Sequence, residues 1–557
     1  MSKSAQVDPV TVEIIRNAFI SIAREMNANL IRGAYSPIIY EMKDCSVGLF
    51  DHKGRLLGQS PGLPVFLGLL EVAVQVVTDK IGLDNFNRGD VFIVNDSYMT
   101  GSHLNDVLIL VPLFYEEELF GFSVAKAHFV DIGSMDPGQT NNATEIYQEG
   151  YRLGPLKIVD AGVPRDDVID FLTRNSRLPR QIYGDLWAMI AACRTGENRL
   201  KELIDRFGLT QIRSASEEVF AQCEKMDREA VRAMPDGEYY SSGVLDNDGR
   251  NDQPVPVKVK VIISGDEMTV DLAGSSKQTS GCLNCGFPAT ISVARMAFKF
   301  LVNPKIAITG GTFRNLTVIA EEGSIFNAVE PAACQYYYPH LGLMIDLIFQ
   351  SLSGAIPDKV IATQGADPMN IMFTGINPRN DEPFISGEAT AVGWGAHEGH
   401  DGENGMINYG GGDLKNFPVE VMENRYPLLI WKYGLIPDSG GAGRFRGGLG
   451  IIREYETLSN TLLSLWFERS KTPGLGLFGG HTGSIPEVRI NPETPDEKSM
   501  LKVSSLPIPA ETKITAITGG GGGYGDPKER KKIFIEEDLA DGYVTLQEAR
   551  SKYGFED

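Results

Sequence analysis

Three side chains in the first quarter of the sequence have the types and setting for metal chemistry. They are His103 and Asp106 in Thr100-Gly-Ser-His-Leu-Asn-Asp106, and His128, which ends the apolar run Phe120-Gly-Phe-Ser-Val-Ala-Lys-Ala-His128. A loop histidine and a carboxylate three residues on can close on one ion, and a strand-end histidine adds a second imidazole. Asp44, just ahead of a predicted strand, is a fourth candidate ligand, and Asp131, three residues beyond His128, is an alternate ligand or a group that holds a ligand in place. Two nitrogens with one or two carboxylate oxygens suit Zn, Mn or Fe and leave positions for water or substrate. Spacing alone is equally met by a loop histidine bonded to backbone and a buried strand histidine.

The other reactive residue types carry weaker patterns. His397-Glu-Gly-His400-Asp401 is a second possible metal cluster, but it sits in a glycine-rich run that also reads as a solvated loop or a lid. Cys282-Leu-Asn-Cys285 has the spacing of half a zinc knuckle or a redox motif, and with no second pair it reads as structural. His340 follows Tyr336-Tyr-Tyr-Pro339 at a helix start, where capping or stacking is the default. Gly519 to Gly523 lacks the Lys and Ser or Thr that a phosphate loop needs, and Gly440-Gly-Ala-Gly-Arg-Phe-Arg-Gly447 fails the same test, with Arg444 and Arg446 left to hold a carboxylate or to pair structurally. Nucleotide binding by this chain alone is therefore unsupported.

These residues need elements to position them. Asp8 caps and Pro9 opens a helix whose apolar stripe Val12, Ile15, Phe19, Ile22 and Met26 runs toward Arg32. Cys45 to Phe50 and Arg55 to Gln59 flank the turn Asp51-His-Lys-Gly54 as a hairpin, and a helix is expected from Leu67 to Ile81. Short apolar runs at Val91–Val94, Val107–Pro112 and Phe120–His128 read as buried strands. Helices follow at Val168–Asn175, Asp185–Phe207 and Thr210–Met234, the last two as a helical hairpin. Strands return across Ser264-Gly-Asp-Glu267, then helices at Ser292–Val302 and Leu341–Ile356. Without a regular βαβ rhythm the fold class is α+β, with mixed sheets, a helical hairpin and Gly-rich C-terminal loops. Three lobes are expected: 1–235 with the metal site, 236–386, and a Gly-rich 387–557.

Composition narrows the partners. The 557 residues carry 52 basic and 73 acidic side chains, a net charge of −21 that repels phosphate backbones and anionic headgroups, so neither nucleic acid nor a membrane surface is expected as a partner. No apolar stretch approaches the ~20 residues of a membrane span. Met1 to Gln6 lacks a following apolar core and does not read as a secretory signal. Six cysteines in so long a chain fit a reducing, cytoplasmic setting.

Longer motifs carry a resemblance. Asp8-Pro-Val-Thr-Val-Glu-Ile-Ile-Arg16, Ala34-Tyr-Ser-Pro-Ile38, Asn95-Asp-Ser-Tyr98 with Gly101-Ser-His-Leu-Asn-Asp106, Ala127-His-Phe-Val-Asp-Ile-Gly133, Ala143 to Gly150, Asp438 to Gly450 and Gly519 to Pro527 together resemble the hydantoinase B/oxoprolinase family along essentially the whole chain. The resemblance implies a β-type subunit of an ATP-dependent hydrolase of cyclic amides such as hydantoins, 5-oxoproline or lactams. Its partner would be a hydantoinase A-type, actin-like ATPase subunit that binds ATP and Mg and phosphorylates the amide carbonyl, in a hetero-oligomer. Subunits of acetone and acetophenone carboxylases are related, which gives ketone carboxylation as the alternative. The family's metal position maps onto His103, Asp106 and His128, with Asp44 as the fourth match, for a divalent Zn, Mn or Fe. Asp131, Glu145 or Glu149 is expected as general base from closeness to the motif in sequence. Two departures bear on substrate: Phe66 stands where many relatives carry His, and Cys334-Gln-Tyr-Tyr-Tyr-Pro-His340 is more aromatic than expected, which suits a larger or more apolar substrate.

Overall fold

A computed structural model of the protein describes residues 8–366, 369–412 and 414–556; the Met1 to Gln6 stretch lies outside them. The first helix, α1 (Pro9–Gly33), begins as its sequence dictates, with Asp8 accepting from the Val10 and Thr11 amides. Its stripe from Val12 to Leu30 is buried. At about 1.5–3 kcal/mol per large apolar side chain, that burial outweighs helix propensity in holding α1 in place.

The first sheet has seven antiparallel strands: β1 (Cys45–Asp51), β2 (Leu56–Gln59), β3 (Val91–Val94), β4 (Asp106–Tyr115), β5 (Glu118–His128), β6 (Leu156–Asp160) and β7 (Val163–Pro164), in the order β2-β1-β5-β4-β3-β6-β7. Both faces are covered, which is why β1 and most of β4 and β5 read as unbroken apolar runs. Val107, Ile109, Ala125 and Ala127 face a core shared with α1. Leu108, Leu110 and Val124 face the opposite core, with α2 (Pro64–Ile81). Alternation along β5 puts Lys126 and His128 on the α2 side with Val124.

The expected helical hairpin is α3 (Pro179–Phe207) and α4 (Leu209–Arg232), joined at Gly208, with α3 packed on α1. It begins earlier than Asp185 because Pro179 takes the first helical position. A second sheet follows, β8 (Gly237–Leu245), β9 (Val255–Ser264), β10 (Glu267–Asp271) and β11 (Leu316–Ile319), in the order β11-β10-β9-β8. It packs with α5 (Phe287–Leu301) and α6 (Pro339–Leu352). One continuous core joins Leu108 and Val124 of the first sheet to Val257, Ala294 and Leu343.

Two further antiparallel sheets build the C-terminal part. One contains Asn370–Asn377, Glu382–Ala389, Thr461–Trp466 and Lys502–Ile508. The Gly-rich stretches between strands are more than loops. Gly519–Gly523 runs extended through the middle of other glycine segments: Gly522 N–H donates to Thr363 O at 2.8 Å, Gly521 N–H to Gly448 O at 2.9 Å and Gly523 N–H to His481 O at 2.9 Å, while Gly393 and Gly441 donate back to Gly519 O and Gly521 O. A Cβ on Gly520 would lie 1.8 Å from Ser439 O, and one on Gly395 1.7 Å from Ala362 O. Glycine is required here by backbone-to-backbone packing, since none of the residues from Gly519 to Gly523 has positive φ.

Candidate metal centre and its cavity

Asp106 opens β4 and His128 closes β5, and the two are direct partners across the hairpin. His103 lies just before, in a segment whose Gly101 (φ 90°) is pressed on α5; a Cβ there would stand 2.4 Å from the Ala289 nitrogen. His103 Nε2 is 2.9 Å from Asp106 Oδ1 and 3.1 Å from His128 Nδ1, and His128 Nδ1 is 3.1 Å from Asp106 Oδ1. Three ligand atoms thus form a small triangle. Ligands at right angles on an ion bound at about 2.1 Å stand about 3.0 Å apart, so the triangle has the dimensions of three ligands on one ion.

The surroundings fit a cation as well. His103 Nδ1 is 3.0 Å from the Gln335 carbonyl, and donating its proton there leaves the Nε2 lone pair pointing into the triangle. Asp106 Oδ2 and Asp44 Oδ1 are buried without a hydrogen-bond partner. Burial pushes the Asp106 carboxyl up, but the two histidines more than offset it and hold it well below the usual carboxylate range. Burial pushes Asp44 up to about 7, with Asp106 adding to the effect and His128 and Lys126 opposing it. Asp44 lines the same cavity, and its carbonyl accepts the His128 amide at 3.2 Å. It stands beside the triangle, whereas His103, Asp106 and His128 form the only group of three potential ligands among the described residues.

The three candidate bases lie elsewhere. Asp131 is fully buried and spent on structure, accepting from Gly138 N, Ser176 Oγ and the Arg177 backbone and guanidinium. Glu145 is exposed and starts a short helical turn, with Gln148 capping its amide. Neither lines the cavity. Glu149 is buried, and its Oε1 accepts the Cys334 and Gln335 amides, each at 2.7 Å. It therefore holds in place the segment whose Gln335 carbonyl lies against His103 Nδ1, a positioning contact.

That role makes a prediction. Glu149→Ala is expected to weaken divalent-metal affinity by about 10- to 100-fold, read by competition with a chromophoric chelator, while Glu149→Gln, which keeps the acceptor oxygen, stays near wild type. Burial also pushes Glu149 up to about 8 from 4.5. The folded state then keeps a proton that the unfolded chain releases, so stability falls as pH rises from about 4.5 to about 8. The stability of Glu149→Gln relative to wild type should grow across that window and level off above it in urea titrations. A constant difference across the window contradicts the assignment.

The weaker motifs resolve as structure. His397 and His400 pair backbone to backbone in a turn, Glu398 pairs with Arg444, and Asp401 is taken by Arg530 and the Arg446 amide. Arg446 itself pairs with Asp538. Cys282 and Cys285 are buried, bonded to Asn141 O and Ile325 O, and burial raises both thiols out of the reactive range. His340 Nε2 meets Cys285 Sγ at 3.2 Å, and burial holds its ring down to about 3, hence neutral. Gly58-Gln-Ser-Pro-Gly62 spells the serine-hydrolase elbow, but Ser60 Oγ donates to Pro61 O and no histidine bonds to it.

Sequence reasoning did not single out Lys126, and it named Gln335 and Tyr337 only as part of the aromatic Cys334 to His340 segment. The Tyr337 ring stands edge-on to His103 at 5.2 Å, and burial, reinforced by Asp106, keeps its hydroxyl protonated. Lys126 Nζ is buried against Asp106 O at 2.9 Å and lies 5.5 Å from the Phe66 ring; burial pulls it down to about 8, with Asp106 and Asp44 opposing. A lysine inside an apolar strand was the available signal for Lys126.

The triangle opens on a half-enclosed cavity. Its walls are mainly apolar, with Val65, Phe66, Leu341 and Met372 among them, and come from the first sheet's loops, α6 and the Asn370–Ala389 hairpin. Both departures noted in the sequence are here: Phe66, and Tyr337 with Tyr338.

Fold and site together have relatives. The Hydantoinase B/oxoprolinase family matches residues 8–527, and the chain belongs to it. It is 31% identical to a putative D-/L-hydantoinase subunit of Pseudomonas sp. (strain NS671), over 99% of this chain and 95% of that one. Its fold superimposes with a TM-score of 0.91 on the crystal structure of the ATP-dependent caprolactamase from Pseudomonas jessenii, at 30% identity over 98% of this chain and 96% of that one. The nucleotide-free structure of acetone carboxylase shares the fold at a TM-score of 0.88 and 19% identity, over 98% of this chain and 79% of that one. Among the described residues no helix is long and apolar enough to cross a membrane.

Proposed function

We propose that this chain is the β-type subunit of an ATP-dependent cyclic-amide hydrolase, opening a lactam or hydantoin ring whose carbonyl oxygen has been phosphorylated by an ATPase partner. The observation that carries the reading is the His103, Asp106 and His128 triangle at the wall of a largely apolar cavity. His103, Asp106 and His128, with Asp44 beside them, would hold a divalent Zn, Mn or Fe ion, which when bound supplies hydroxide at neutral pH or charge for a developing oxyanion.

The chain's other residues orient the ring. Asn370 Nδ2 donates to Gln139 Oε1 at 2.8 Å, and both side chains line the cavity. Asn370 Oδ1 and Gln139 Nε2 then offer one acceptor and one donor side by side, matching the N–H and C=O that a cyclic, necessarily cis, amide presents along one edge. Tyr337 Oη keeps its proton beside Asp106. Phe66, Leu341 and Met372 exclude water from the ring's apolar side. The ATP dependence of the caprolactamase and the want of a phosphate loop on this chain support a nucleotide site on the partner.

The shared fold with acetone carboxylase supports a second reading, ATP-dependent carboxylation of a ketone. The test is turnover by the purified complex with its ATPase-type partner over hydantoin, 5-oxoproline, lactams and ketones. Ring-opened product formed with ATP and no added bicarbonate is the expected result. A carboxylated product that needs bicarbonate would overturn it.

A further inference from the structure

Most buried glycines of the C-terminal part are dictated by a backbone atom about to collide with a Cβ, as at Gly448, where Glu403 O would lie 1.9 Å away. Three glycines in the cavity wall, Gly342, Gly387 and the turn residue Gly410, are different, and the first two lie inside regular elements. A Cβ on Gly342 would meet nothing nearer than Gln364 Nε2 at 3.8 Å, and one on Gly387 nothing nearer than Met372 Sδ at 4.0 Å. Neither has a positive φ, so conformation does not demand glycine at either site.

Local structure makes the vacancy more informative. Gly342 sits in α6 between the cavity-lining Leu341 and Ile345, where alanine is the better helix former. Gly387 lies in the Glu382–Ala389 strand, and period-2 alternation puts it on one face with Ile385 and Ala389, both cavity-lining. Its direct partner across the hairpin is Met372, a flexible thioether that can turn toward or away from the space. At both places the element would be better served by a larger residue, and what the glycine leaves free is cavity.

We infer that Gly342 and Gly387 set the size of substrate, keeping room for cyclic amides that carry apolar bulk beyond a bare five-membered ring. The inference rests on the cyclic-amide reading of the site and adds the substrate's shape to it. The ring's amide edge meets Asn370 and Gln139, and the bulk occupies the volume that a side chain at 342 or 387 would fill.

The test compares Gly342→Ala, Gly387→Ala and Gly387→Val with wild type in the intact complex, using hydantoin and 5-benzylhydantoin. Two readouts are taken, kcat/KM and ligand-induced thermal stabilisation, the second of which needs no turnover. The alanine variants should melt within about 1 °C of wild type, since a methyl group meets open space. Each should lose about 10-fold or more in kcat/KM for 5-benzylhydantoin, mainly through KM, with Gly387→Val losing most and hydantoin changing less than about 3-fold. Variants that keep the wild-type ratio between the two substrates, or lose both equally, overturn the inference. A wild type neither stabilised by nor active on any cyclic amide instead contradicts the reading on which it rests.

Discussion

Asp106→Ala is expected to abolish turnover, by about 10³-fold or more, while the complex with the proposed ATPase-type partner still assembles. Asp106 Oδ1 is the atom that both imidazoles share, at 2.9 and 3.1 Å, and its removal leaves two ring nitrogens 3.1 Å apart with no anion between them. The fold should survive. Lys126 bonds to the Asp106 backbone carbonyl, which the substitution keeps, and the strand pairing of β4 with β5 needs no side chain at 106. His103→Ala removes a second corner and should match it in effect, and the double variant should be no worse than either, as for residues that act as one unit. Full assembly with turnover within tenfold of wild type would make the chain a scaffold for its partner and sink the proposed role.

A large effect on folding is expected at Gly521→Ala. A Cβ at this position would lie 1.9 Å from the Trp394 carbonyl oxygen and 2.3 Å from its carbon, with Gly395 N at 2.7 Å. These are backbone atoms of a segment that is itself held by Gly448 N–H on Trp394 O and Ala396 N–H on Gly522 O, so nothing can swing aside as a side chain would. The cost should exceed about 4 kcal/mol, seen as loss of soluble protein or a large drop in unfolding midpoint. Gly434→Ala is the control, because nothing lies within 4 Å of its Cβ position and it should be neutral. Soluble Gly521→Ala with a wild-type midpoint would mean that the glycine segments are not packed as described.

What was legible in the sequence had a local cause. Asp8 and Pro9 mark the start of α1, and the apolar runs give β4 and β5 within a few residues. The hairpin also brings Asp106 and His128 together, since they stand 10 and 11 residues from its turn at Glu116 and Glu117 and the register shift between Leu113 and Phe114 takes up the difference. With His103 three residues away, the His103, Asp106 and His128 triangle needed little long-range information. The surrounding groups did. Gln335 meets His103 across 232 positions and Glu149 reaches Gln335 across 186, separations that leave no periodicity to read. Asp131 stands near His128 in sequence yet turns away to Arg177, whose guanidinium and amide satisfy it. The glycine segments read as loops because close approach between distant backbones leaves no trace in either segment alone.

Elemental analysis of the purified chain, wild type against Asp106→Ala, tests the metal centre most directly. Near one equivalent of a divalent transition metal per wild-type chain, and almost none in the variant at equal fold stability, is the predicted result. Equal metal content in the two would contradict it.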